Sequence, residues 1–423
     1  MKIKVENVTY EEMLARKEKA LVTPKKKPRT PNPVLRRLVK VLSKSELKKV
    51  NFSCEKVDME RLGKDEPCLI LMNHSSFIDL EIAEYVFSDR PFQIVCTSDG
   101  FVGKDGLMRT IGCIPTQKFV TDVGLVKDMV YSAHKLGNSI LMYPEASYSF
   151  DGTATPLPHS IGKCVKLLGI PVVMIRTYGA FHRDPLYNNL QLRNVDVSAK
   201  VSYLLSPNEI EKKTAGEIQE VIEKQFDFDH FAWQRDNQIK IDEPFRADYL
   251  NRVLYKCPAC MTEGKMRGKG IYLVCKACGK QYALEENGQM KALSGDTEFP
   301  HIPGWYAWER NCVRKEIDEN SYKLDISVDI CALVDTKSLC RIGEGRLVHD
   351  SSGFCLTGCD GKLDYRQKPS ASYSLYADYY WYEIGDVICI GNNQILYYCF
   401  PQDAGDVVAK TRLATEELYK LTK

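Results

Sequence analysis

Long hydrophobic runs are absent from this 423-residue chain: nowhere do eighteen apolar residues follow one another, and the longest candidates are short segments such as ILMY and PVVMI. A membrane-spanning helix needs about twenty such residues, so none is expected. The opening MKIKVENVTYEEMLARKEK lacks an apolar signal core, and the sixteen cysteines are therefore read as thiols in a reducing interior and not as a disulfide framework. Also missing is the Gly-x-Ser-x-Gly turn that presents a nucleophilic serine in one large hydrolase class. Strong net charge is lacking as well: +2 with 44% hydrophobic residues excludes a disordered polymer, and the length allows two or three domains with their own cores.

The modest total hides an uneven distribution. Between Leu21 and Val50 ten Lys or Arg face the single acid Glu46, a local +9 that leaves about −7 for the remainder. Prolines 24, 28, 31 and 33 make the first part an extended arm, after which Val34, Leu35, Leu38, Val41 and Leu42 recur at helical spacing between Arg36, Arg37, Lys40 and Lys44. Residues 1–50 thus read as a basic arm with an amphipathic helix. It either lies on an anionic membrane surface or docks on the protein's own core with its bases in water. Nucleic acid is a poorer partner, because no aromatics interleave the bases.

From 51 to about 245, short apolar runs alternate with helical patterns, which predicts an α/β domain with a largely parallel central sheet. Strands are expected at Cys68 to Met72, Phe92 to Thr97, Ser139 to Tyr143 and Pro171 to Thr177, and helices near Leu80 to Phe87, Val123 to Leu136 and Ile161 to Leu168. Ser206 with Glu209 and Thr214 with Glu217 are spaced as capping boxes, with Pro207 suited to a first helical position.

In LILMNHSSFIDLEIAEYVF, His74 and Asp79 follow an apolar run directly. Five residues apart on one helix they would point about 140° from each other, so a pair forms only if His74 sits in a turn and Asp79 in the first helical turn. Asp79 then fixes one imidazole nitrogen and leaves the other to take a proton from a hydroxyl. The plainer alternative is a turn histidine beside a capping aspartate. YPEASYSFDG places Glu145 at the end of a second strand, and in a parallel sheet both ends share one edge. GLMRTIGCIPTQKF supplies Arg109 and Lys118, which can hold a phosphate. His182 is a competing base, but no acid at a matching spacing supports it.

Four blocks in this order resemble the glycerolipid acyltransferases related to 1-acylglycerol-3-phosphate O-acyltransferase: Asn73-His74 through Asp79, Gly112 through Lys118, Tyr143-Pro144-Glu145-Ala146-Ser147-Tyr148-Ser149, and Gly169-Ile170-Pro171-Val172-Val173. The resemblance covers about residues 51 to 205. It implies His74 and Asp79 as the catalytic pair, Asn73, Arg109, Lys118, Glu145 and Ser147 as substrate-binding residues, and Glu145 as the contact of the acceptor's polar head. The implied reaction moves a fatty acyl group from acyl-CoA or acyl carrier protein to the hydroxyl of a lysophospholipid, such as 1-acylglycerol-3-phosphate, at the cytoplasmic face of a membrane. Lys118 and Tyr148 stand where the family has arginines; lysine lacks the bidentate fork and tyrosine the charge, which opens the acceptor to other hydroxyl lipids. A catalytically degenerate adaptor, or a hydrolase using His74, are the competing functions.

CPAC at 257–260 and CKAC at 275–278 enclose fourteen residues, as in a zinc ribbon, predicted over 250–285. Four thiolates give a closed, structural Zn2+ site, on a knob suited to docking a protein partner; a redox dithiol pair is the alternative. From Glu286 to the end, strand-like aromatic runs separated by DSSG, GCDG and GNN predict a β-rich domain closed by a helix, similar in outline to a pleckstrin-homology-type module. Cys355 and Cys359 are read as packing residues and not as ligands.

Overall fold

The computed structural model describes residues 2–120, 122–402 and 405–423. The chain opens with β1 (Val5–Asn7), α1 (Tyr10–Val22) and α2 (Pro33–Lys49). The α/β region follows as β2 (Ser53–Val57), β3 (Leu69–Met72), α3 (Asp79–Val86), β4 (Phe92–Thr97), α4 (Asp105–Thr110), β5 (Cys113–Thr116), α5 (Val123–His134), β6 (Ser139–Met142), α6 (Ile161–Leu168), β7 (Val172–Tyr178), α7 (Ala180–Arg183), β8 (Ser198–Leu205), α8 (Pro207–Lys212), α9 (Ala215–Phe226) and α10 (His230–Asp236). Its sheet has the order β2-β8-β7-β3-β6-β4-β5, parallel throughout except where β7 meets β8. Helices cover both faces, so β3 is apolar at every position: Ile70 and Met72 join the core under α2 and α3, Leu69 and Leu71 the core under α5, α6 and α9. Ser206 and Thr214 form the two capping boxes that their spacing predicts.

The ribbon is a four-stranded antiparallel sheet of β9 (Met266–Lys269), β10 (Tyr272–Cys275), β11 (Gln281–Leu284) and β12 (Met290–Ala292). Next comes α11 (Ile302–Asp318), a seventeen-residue helix in a stretch whose aromatics read as strand. Trp305, Glu309, Val313 and Ile317, four apart, form its buried stripe. The C-terminal sheet contains β13 (Leu324–Leu333), β14 (Leu339–Asp350), β15 (Gly353–Gly358), β16 (Leu363–Gln367), β17 (Tyr376–Trp381), β18 (Gly385–Gly391) and β19 (Leu396–Pro401), and α12 (Val408–Lys420) closes the chain. These strands run antiparallel in the order β16-β15-β14-β13-β19-β18-β17.

The regions share their packing. β1 pairs in parallel with β14, and Met13 of α1 is fully buried in a core that also holds Phe150 and Phe181 of the α/β region, Tyr282 of the ribbon, Trp305 and Leu413. Thus β1 extends the C-terminal sheet and α1 packs into the shared core, while the proline-rich stretch between α1 and α2 leads back to the α/β region. α2 docks there by an unusual edge. Ser43 and Leu47 face inward, and the Arg36 guanidinium pairs with Glu84 at 3.2 Å, donates to the Phe87 and Arg90 carbonyls and stacks 4.6 Å from the Phe92 ring centre. Its outward face carries Val34, Leu38, Val41 and Leu42, each 55% or more exposed. No helix among the described residues is long and apolar enough to cross a membrane.

Candidate active site and metal centre

β3 ends at Met72, and the turn 73–78 carries the chain into α3, whose first residue is Asp79. Asp79 folds back over the turn: one carboxylate oxygen accepts the Ser75 N–H at 2.8 Å and the Ser76 N–H at 3.1 Å and lies 3.1 Å from His74 Nδ1. These contacts assign the Nδ1–H tautomer to His74 and leave Nε2 as the basic nitrogen. The ring is held between Tyr143 and Tyr148, with centroids 4.2 and 4.0 Å away, while exposed Phe77 borders Tyr148 at 5.6 Å. Burial, joined by the charge of Lys118, pulls the imidazole down to about 3, so it is neutral and free to accept a proton. Burial pushes Asp79 up to about 7 against the pull of its two backbone donors.

Glu145 follows β6, the parallel neighbour of β3, so both loops leave one edge of the sheet. Its carboxylate is shared between two backbone N–H groups, His74 at 2.9 Å and Thr155 at 2.9 Å. Burial raises it to about 7. Asn73 is likewise engaged, donating to Ser75 Oγ at 2.7 Å and Thr177 Oγ1 at 3.0 Å and accepting the Thr177 N–H at 2.8 Å, which ties the ends of β3 and β7 together. The Ser147 hydroxyl donates to the Tyr148 carbonyl at 3.2 Å. Arg109 turns to Asp105 at 2.9 Å and the Lys26 carbonyl at 3.3 Å, over the Phe101 ring. Lys118 Nζ sits 4.1 Å from the ring centre of Tyr376, a β17 residue whose hydroxyl donates to Asp99 at 2.7 Å.

Two features of the site carry no local sequence signal. His230 Nε2 lies 3.3 Å from Ser75 Oγ, extending the Thr177–Asn73–Ser75 chain into α10. The C-terminal sheet brings β17 against the acyltransferase-like blocks through Tyr376 on Lys118 and through Tyr379, 4.6 Å from Phe150. His182 is buried with Nε2 on the His230 carbonyl at 2.9 Å, pulled down to about 4 by burial.

The four cysteines 257, 260, 275 and 278 converge, with their sulfurs all within 4.8 Å of one another. Cys257 to Cys278 measures 3.8 Å and Cys260 to Cys275 measures 3.7 Å. Four sulfurs about 2.3 Å from a tetrahedral ion stand about 3.8 Å apart, so this donor set fits a metal ion without rearrangement. Cys359 instead donates to the Ile342 carbonyl at 3.4 Å, and Cys355 is half-buried in β15.

The family model described as Acyltransferase matches residues 53–177. Among solved structures, the 1-acyl-sn-glycerophosphate (LPA) acyltransferase PlsC from Thermotoga maritima aligns at 14% identity and a TM-score of 0.38, over 51% of this chain and 87% of that one. No curated protein matches the sequence. The matched span contains His74, Asp79, Lys118 and Glu145 and the sheet edge on which they meet, and residues 53–177 are thus the stretch over which this chain is similar to the Acyltransferase family.

Proposed function

We propose that the protein transfers a fatty acyl group from an acyl thioester, acyl-CoA or acyl carrier protein, to the hydroxyl of a lysophospholipid at a membrane surface. The observation that carries this reading is the His74 imidazole oriented by Asp79 at 3.1 Å. Nε2 takes the proton of the acceptor hydroxyl as its oxygen attacks the thioester carbonyl. The tetrahedral intermediate then collapses, the C–S bond breaks, and the departing thiolate recovers the proton from the imidazolium that Asp79 has stabilised. Glu145, with both oxygens on backbone donors, acts as a positioning residue for the His74 loop. Purified protein supplied with acyl-CoA and a panel of lysolipids should form a diacyl product seen by mass spectrometry. Failure with every acceptor, and with acyl carrier protein as donor, would refute the reading.

Lys118 sits close enough to depress the imidazole, and its removal relieves that effect. A nearby cation disfavours protonated His74, so Lys118→Met should move the acid limb of the kcat/KM profile to higher pH. An unmoved limb would show that Lys118 does not act on the base.

Membrane attachment is assigned to α2, whose apolar stripe points outward with Arg37, Lys44, Lys48 and Lys49 exposed beside it. Charge of that sign favours anionic lipid by about 1 kcal/mol per residue near the surface. Replacing Val34, Leu38, Val41 and Leu42 together by Ser removes about 1 kcal/mol each of partial apolar burial, and should weaken co-sedimentation with anionic vesicles about 1,000-fold. These side chains are exposed, so the fold should be kept. Equal sedimentation of variant and parent would exclude α2 as the anchor. We assign Zn2+ to the four-cysteine centre, as a structural ion. The seven antiparallel strands followed by α12 support the pleckstrin-homology-type reading of the C-terminal region.

A further inference from the structure

A cavity of about 390 Å³ lies in the seam between the α/β region and the two C-terminal helices α11 and α12. Its wall includes Asp151, Thr153, His301, Gly304, Arg310 and Arg412. Thr153 and Ala154 also line the small cavity beside His74 and Glu145, so one loop borders both spaces. The next residue of that loop, Thr155, holds the Glu145 carboxylate.

The acids of the seam already have partners. Asp151 accepts the Thr153 N–H at 3.1 Å and its hydroxyl at 2.9 Å. Asp229 accepts the Ala232 N–H at 2.8 Å and faces His301 at 2.7 Å. Glu416 is divided between Arg310 at 2.7 Å and Arg412 Nε at 3.3 Å, and accepts the Ser374 hydroxyl at 2.6 Å.

Arg412 differs. It is 3% exposed and packs 4.4 Å from the Phe150 ring centre, yet its Nη1 has no hydrogen-bond partner among the described residues. Buried polar groups in folded proteins are nearly always satisfied, and a charged donor is the most costly to leave alone. Glu416 Oε2 in the same wall also lacks a hydrogen bond but is ion-paired to Arg310 at 2.7 Å, so the unmet donor here is cationic and calls for a ligand rich in acceptors. We propose that the seam cavity is a binding site for a phosphate-type oxyanion, held by Arg412 Nη1 with Arg310 at its mouth. The oxyanion belongs either to the acyl donor, whose nucleotide portion carries phosphates, or to a free phosphorylated small molecule. Occupancy would brace the 153–155 loop, and with it the carboxylate that holds the backbone of His74.

Binding is read directly, without the transfer reaction, by titration calorimetry of full-length protein with inorganic phosphate. One saturable site per chain is expected. Gly304→Leu tests the cavity itself: a side-chain carbon at Gly304 would meet only the His301 Cβ at 3.8 Å, so the larger residue grows into the space without disturbing the helix. It should weaken phosphate binding at least tenfold at an unchanged unfolding temperature; Arg412→Gln should weaken binding as much but, because it also gives up the Glu416 pairing, at a lowered unfolding temperature. Arg314→Gln, whose guanidinium serves Asp318 and Glu417, should bind as the parent does. Coenzyme A that displaces phosphate would identify the donor as the source, whereas coenzyme A that binds without displacing it would point to a free phosphorylated molecule. Absence of saturable phosphate binding, or equal binding by Gly304→Leu and parent, would overturn the site while leaving the acyl-transfer reading to its own test.

Discussion

His74→Ala should lower acyl transfer by about 10² to 10⁴, because the variant loses the base while the backbone of its loop keeps its anchor. The anchor of this loop is the His74 backbone N–H on Glu145, which alanine keeps. Asp79→Asn should produce a loss of similar order for a different reason: an amide no longer stabilises the imidazolium and can donate to Nδ1, stranding the proton on Nε2 where the acceptor must approach. Asp79 also accepts from Ser75 and Ser76, so this variant should show a lower unfolding temperature through the turn itself, whereas His74→Ala loses only the ring's packing between Tyr143 and Tyr148 and its bond to Asp79. Circular dichroism with product mass spectrometry separates the two. Wild-type rates from purified His74→Ala would remove the residue from the chemistry.

Much of this site is written locally. LILM followed by a turn and an acidic helix start determines where His74 and Asp79 fall, because strand burial, helix capping and the five-residue spacing all act over a few residues. The same holds for the capping boxes at Ser206 and Thr214 and for the two cysteine knuckles. What stayed hidden depends on distant partners. β1 finds β14 more than three hundred residues away, and no feature of VEN announces that pairing. Lys118 meets Tyr376, and Ser75 meets His230, through docking of whole elements. α11 was hidden for a different reason: Trp305, Tyr306 and Trp308 raise the apparent strand character of a helix whose four-residue stripe includes a buried acid, Glu309, and so breaks the apolar pattern. That carboxylate accepts the Lys256 N–H at 2.8 Å, a contact no window of sequence contains.

Metal removal should have the other large effect. Four thiolates gathered within 4.8 Å repel one another unless a cation neutralises them. Zinc binding contributes about 10 to 16 kcal/mol in small isolated fingers, so loss of the ion exceeds what a short hairpin can absorb. Here the hairpin is also packed: Tyr282 lies edge-on to Trp305 at 4.9 Å, and the Trp305 indole donates to the Lys256 carbonyl at 3.1 Å, beside the first cysteine. Damage should therefore be graded along the chain. The knuckles at 256–280 open first and become protease-sensitive, while α11 and the C-terminal sheet, held by β-pairing and the shared core, stay folded. Elemental analysis should find one zinc per chain in protein purified under reducing conditions. Cys257→Ser, or a strong chelator, should eliminate the metal and expose the 256–280 cleavage sites. Because four sulfurs close the coordination shell, no position is open to a substrate, and acyl transfer at His74 should survive in part. Absence of zinc in the reduced protein would end the structural assignment. A rate that follows metal identity while the ribbon stays protease-resistant would instead make the ion part of the chemistry.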